Sequence, residues 1–178
     1  MRFVVERLPK KLLAYVLLGA LTSWVGPNNT LYGVGAILAD AYGKRVANED
    51  SDKELARGVA AGENTAYAIF DKDLAKKFST WPNPVSTFPG VAYAYFQDYK
   101  LYRPDGFHAA ASLEELGEKT GIDTAGLLHT VEAFRRSSVE GVDSEFGRER
   151  SETGSPRAPT MPLGPSTPMS LLPMAACT

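Results

Sequence analysis

The side chains most able to move a proton or attack a carbon are few. Two histidines, His108 and His129, and one cysteine, Cys177, occur in 178 residues. His108 opens a short "FHAAA" segment and could donate a proton, yet no carboxylate stands at a telling spacing from it. His129, within "LLHTVEAF", reads as a surface or boundary residue. Cys177, next to last, reads as an incidental thiol. A single cysteine excludes an internal disulfide and a multi-cysteine metal site, so no metal is expected. Gly33-Val34-Gly35 imitates the start of a dinucleotide fingerprint, but Leu38 stands where the third glycine belongs. The segment also leads toward a strand, so no helix N-terminus would face a phosphate. There is no P-loop, H-E-x-x-H or G-x-S-x-G. On residue types alone, no catalytic constellation is present.

The elements around these residues are more legible. Ala36–Ala39 and Arg45–Asn48 read as the arms of a tight hairpin through Asp40-Ala41-Tyr42-Gly43, with Gly43 at the left-handed turn position. Asp50 or Ser51 caps a helix over "DKELARGVAAG" that Gly62 would end. "AYAIFD", residues 66–71, is a short strand followed by a helical turn or two in "KDLAKKF". The prolines of "WPNPVSTFPG" break the chain over 81–90. In "VAYAYFQDYKLY", residues 91–102, Tyr95, Tyr99 and Tyr102 repeat at helical spacing while Tyr93 and Tyr95 alternate as in a strand; helix is the reading taken, with the aromatic stripe as core packing. Ser112-Leu-Glu-Glu115 is a capping box and Gly121 a stop. Asp123 caps the next helix, with Ile122 and Leu127 at the staple positions. Leu127, Val131 and Phe134 then form one apolar face, and Arg135 and Arg136 suit the helix end. The expected class is α+β: a small antiparallel sheet or hairpin with packed helices, residues 31–148, between a basic–apolar leading helix over 1–30 and a proline-rich, irregular tail over 149–178. Six of the twelve prolines lie in that tail, and no charge follows Arg157.

Composition sets outer limits. A hydrophobic fraction of 44% and a charged fraction of 22% are those of an ordinary globular chain. A net charge of -2 gives no electrostatic reason to expect a nucleic-acid partner. The apolar run Leu12 to Val25 follows Arg7, Lys10 and Lys11, but it falls short of the roughly 20 residues that span a bilayer. It lacks a signal-peptide cleavage pattern as well. Cytoplasmic residence is therefore expected, with peripheral membrane attachment through residues 7–25 as the most a membrane could claim.

Several separated motifs carry a resemblance. "GAILADAYGKRVANE" (35–49), "YAIFD" (67–71), "SLEELGEKTGIDTAGLLHTVEAF" (112–134) and "EGVDSEFGR" (140–148) together resemble the FAD-dependent flavoproteins that include soluble fumarate reductases, succinate dehydrogenase flavoproteins and 3-ketosteroid dehydrogenases. Order and spacing agree over residues 33–148. The resemblance implies the capping domain of such an enzyme, which closes over a small-molecule substrate, a dicarboxylate or a steroid-like ring, beside FAD held by a separate dinucleotide-binding domain. It puts Arg45, Asn48 and Glu49 on the substrate side of the cap. Four residues beyond the motif's glutamate, fumarate reductases carry an arginine proton donor and ketosteroid dehydrogenases a tyrosine; here the position is Lys53. Asn29 and Tyr32 occupy the positions of the fumarate reductases' proton relay. The chain alone is expected to lack the FAD-binding domain, to hold no FAD and to be inactive. "LGPSTPM" (163–169) stands where the family continues "GPFYA", which suggests a truncated or frame-shifted end. The alternative is a non-catalytic binding or interaction domain that kept the cap fold.

Overall fold

The computed structural model describes residues 9–61, 65–143 and 145–147, with backbone alone for 10, 11 and 169–175. Helix α1 (Lys10–Trp24) is followed by a short α2 (Asn29–Gly33), strand β1 (Ile37–Ala39), α3 (Asp52–Ala61), β2 (Thr65–Asp71) and α4 (Lys72–Lys77). A small hairpin of β3 (Ser86–Phe88) and β4 (Ala92–Ala94) leads to α5 (Phe96–Tyr102), then β5 (His108–Ala110), α6 (Leu113–Thr120), α7 (Thr124–Glu140) and β6 (Met169–Ala175). The fold is α+β.

The principal sheet is antiparallel, in the order β1-β2-β6-β5. Its period-two pattern sorts side chains onto two cores. Leu38, Ala66, Ala68 and Phe70 face one core with Leu21 of α1, Leu31 and Tyr32 of α2, Leu55 and Val59 of α3, and the Phe96 and Tyr99 pair of α5. Ile37, Ala39 and Ile69 face the other, built from Leu116, Ile122, Leu127, Val131 and Phe134. Strands β1 and β2 are therefore buried on both faces, which is why they lack the polar alternation of a half-exposed sheet.

The local signals act where the sequence puts them. Ser112 Oγ accepts the Glu115 N–H at 3.2 Å, Asp123 Oδ2 accepts that of Gly126 at 2.9 Å, and Asp71 Oδ1 that of Leu74 at 2.8 Å. Glu115 reaches back to the Ala111 N–H, one residue before the cap. Gly121 ends α6 with φ 77° and Gly141 ends α7 with φ 76°. Ser112→Ala should lower stability by about 1 kcal/mol, read by urea unfolding, because it strips an acceptor from the first turn of α6.

Four segments differ from their sequence reading. Residues 91–102 are not one helix: Asp98 Oδ2 accepts the Tyr95 N–H at 2.8 Å and starts α5 at Phe96, while Ala92–Ala94 pair with β3. The 81–90 break likewise contains β3. The second hairpin arm is short. After the Ala39–Arg45 bridge and the Val46 N–H to Leu38 C=O bond, the chain leaves the ladder. Within the tail, Met169–Ala175 run as a strand that pairs with β2 and β5, filling the backbone hydrogen bonds between them. Gly62 and Cys177 lie outside the described residues.

Candidate functional site

The hairpin turn is built by Asp40, whose Oδ1 accepts the N–H groups of Tyr42 and Lys44, both at 2.9 Å. Gly43 then takes φ 72°. The turn presses on the start of α7: a Cβ on Gly43 would lie 2.2 Å from the Leu127 nitrogen, and one on Gly126 would lie 2.0 Å from the Tyr42 oxygen. The Asp123 N–H donates to the Ala41 carbonyl at 3.0 Å, fastening the turn to the α7 cap. Gly58 of α3 meets the second arm in the same way, with Val46 O 2.6 Å from where a Cβ would stand.

That seating carries Arg45 inward. Its guanidinium donates from Nε to Glu49 Oε1 at 3.0 Å and from Nη2 to Glu49 Oε2 at 2.5 Å. It makes a second paired contact with Asp143, Nη1 to Oδ1 at 3.1 Å and Nη2 to Oδ2 at 3.0 Å. The side chains of Arg45, Glu49 and Asp143 are 1%, 0% and 7% exposed, whereas Glu145, 3.5 Å away, is 49% exposed. The rings of Phe134 and Phe146 lie 5.2 Å and 4.9 Å from the guanidinium carbon. Glu49 Oε1 also accepts the Leu38 N–H, and Asp143 Oδ1 those of Glu145 and Phe146. Burial would push the Asp143 carboxyl up, but hydrogen bonds and charge from Arg45 outweigh it and hold the group below its ordinary range. For Arg45, desolvation opposes the cation, and the bonds to Glu49 and Asp143 overcome it. The outcome is a dry ionic clasp that fixes the hairpin to the turn after α7.

The residues singled out from sequence occupy different settings. Arg45 and Glu49 are inside this clasp. Asn48 is half-buried beside it, with Nδ2 donating to the Phe146 carbonyl at 3.3 Å and Oδ1 accepting the Asp50 N–H at 3.0 Å. Lys53 is exposed in the first turn of α3. His108 is on β5, separated from the hairpin strand by β2 and β6, with Nε2 3.1 Å from the Asp105 carbonyl. His129 is exposed on α7.

Asn29 and Tyr32 both fall on α2, and Tyr32 is wholly buried. Burial first, then the Glu49 carboxylate and Tyr99, keep its phenol protonated far past the usual range. Asp143 had no role in the sequence reading. Its signal was an acid just past the Gly141 helix stop, able to bond the N–H groups of the next turn.

Comparison with known proteins finds similarity to several oxidoreductases. No family model matches the chain. A fumarate reductase (cytochrome) of Shewanella frigidimarina is 32% identical over 118 residues, covering 65% of this chain and 18% of that protein. A 4-oxocyclohexanecarboxylate 2-dehydrogenase of Sinomonas cyclohexanicum is 29% identical over 129 residues, 65% of this chain and 19% of that enzyme. The chain thus spans about a fifth of the length of the curated relatives it matches. Among solved structures, the 3-ketosteroid Δ1-dehydrogenase of Sterolibacterium denitrificans aligns with TM-score 0.57 and 22% identity, over 80% of this chain and 27% of that one. The solution structure of a fumarate reductase flavoprotein subunit from Lactobacillus plantarum aligns with TM-score 0.58 and 18% identity, over 87% of this chain and 92% of that one.

Proposed function

We propose that this relative of the fumarate reductase and 3-ketosteroid dehydrogenase flavoproteins, which are FAD-dependent oxidoreductases, forms the substrate-capping domain of such an enzyme. The observation that carries the reading is the clasp. Arg45 and Glu49 belong to "GKRVANE" and Asp143 to "EGVDSEF", the two ends of the resemblance, and they meet in one buried ion-pair network. The motifs thus work as a structural signature: they lock the hairpin so that Asn48 and the start of α3 hold a fixed place at its edge.

The described residues do not fit FAD. A dinucleotide is cradled where a strand turns through glycines into a helix N-terminus. Here the order is reversed: α2 ends in Gly33, the first glycine of Gly33-Val34-Gly35, β1 follows, and Gly35 sits at φ 118°. On this reading the flavin is held by a different part of the enzyme, and this domain contributes the cover. Its own chemical offering is Lys53, a cation on the exposed side of α3. In a closed site Lys53 would pair with a substrate carboxylate or carry a proton, once a covering surface removed its water. A small dicarboxylate or a cyclic ketone fits this reading, both classes being named among the relatives' reactions.

The 178-residue polypeptide mixed with FAD and passed through gel filtration should emerge colourless, without flavin absorption. A stoichiometric yellow complex would overturn the assignment of the flavin to another part. A neighbouring reading frame with a strand–G-x-G-x-x-G–helix unit would support the cap. A stable, flavin-free domain with no such neighbour would favour an interaction module with this fold.

A further inference from the structure

We propose that the outward face of α1 docks on an anionic lipid surface. Helix α1 is apolar on both sides. Its inner side supplies Leu21 to the core, with Leu18 packed against it. On its outer side Leu12, Tyr15 and Val16, spaced i, i+3 and i+4, are 45%, 61% and 55% exposed. Gly19, one turn on, has open space around its Cα, and Trp24 at the far end is 72% exposed. Tyr15 is held edge-on to Tyr102 of α5 at 5.1 Å, and Leu101 beside Tyr102 is 71% exposed. The one polar side chain near the core side, Thr22, turns its hydroxyl back to the Leu18 carbonyl at 2.9 Å.

Charge identifies the occupant. Lys10 and Lys11 are the first two residues of α1, and no aspartate or glutamate occurs between Arg7 and Asp40. A second copy meeting this face through α1 would bring the same basic segment, with no carboxylate in that helix to answer it. A bilayer with anionic headgroups answers both features: lysines at the phosphate level, apolar side chains at the acyl boundary, and a tryptophan suited to the interface. With 15 residues α1 is about 22 Å long, shorter than a hydrocarbon core of roughly 30 Å. Among the described residues no helix is long and apolar enough to cross a membrane, so α1 would lie on the surface. This inference stands apart from the cap reading and does not need it.

The test is flotation of the full chain with phosphatidylcholine vesicles and with vesicles containing phosphatidylglycerol. The chain should float with the anionic vesicles only, and raised salt should weaken the association. Val16→Glu should abolish it, and Lys10→Gln with Lys11→Gln should lower partitioning on the order of tenfold or more. Val16 is on the surface of α1, so circular dichroism of Val16→Glu should stay unchanged. In a Trp81→Phe background the Trp24 emission should shift to the blue on binding. No flotation with either vesicle, or flotation that survives Val16→Glu, would overturn the idea. Self-association in gel filtration that Val16→Glu dissolves, without vesicle binding, would assign the face to a second copy instead.

Discussion

Arg45→Ala should lower the stability of this domain by about 3–5 kcal/mol, the cost of removing one partner from a buried ion-pair network. The guanidinium pairs with both Glu49 and Asp143, and both carboxylates are nearly free of solvent. Alanine would leave two buried anions and a space between the Phe134 and Phe146 rings. Urea unfolding measures the loss, and Glu145→Ala is the control. That residue touches the same guanidinium but stands half in water, so its removal should cost about 0–1 kcal/mol. Equal effects of the two variants would show that Arg45 is a surface group in solution.

The same clasp sets a pH dependence of known sign. Asp143 titrates below its ordinary value in the folded domain. A depressed carboxyl contributes stability that is fully present above its unfolded value, about 3.9. That contribution is lost as pH falls through the lower folded value. Asp143→Asn should therefore flatten the acid limb of the stability curve below about pH 4 and lower the plateau above it. An acid limb unchanged in slope would remove Asp143 from the network.

Gly43→Ala should cost roughly 2–4 kcal/mol, from a left-handed backbone that disfavours a side chain and from overpacking. The new Cβ would stand 2.2 Å from the Leu127 nitrogen and 2.8 Å from the Asp123 oxygen, both backbone atoms that cannot swing away. Gly19→Ala gives the opposite sign. It lies in α1 with nothing within 4 Å of the new carbon, so it should gain up to about 1 kcal/mol from helix preference. Because Gly43 seats the turn that aims Arg45, the double variant with Arg45→Ala should lose less than the sum of the singles. Strict additivity would mean that turn and clasp act independently.

Much of the frame was legible because its causes are local. The caps at Ser112 and Asp123, and the glycine stop at Gly121, act within one helical turn. The Asp40–Gly43 turn is likewise written in four consecutive residues. The helical face of Leu127, Val131 and Phe134 told which side of α7 would be buried, though not against what. The division of 91–102 at Tyr95 was missed because helix and strand periods overlap over so short a run, and the β3 pairing that decides it is not local.

What the sequence determined by itself was the α+β alternation, both ends of α6, the start of α7, the hairpin turn and the kinship carried by its motifs. Tertiary structure alone decided what those motifs do. Arg45 and Asp143 are 98 positions apart, and nothing in either segment names the other as partner. Only the folded chain brings Phe134 and Phe146 onto the guanidinium, sinks Tyr32 beside Glu49, and leaves Lys53 and the outer face of α1 in solvent. A cap or a turn depends on neighbours along the chain, whereas a buried charge depends on which distant groups exclude water around it, and packing alone settles that.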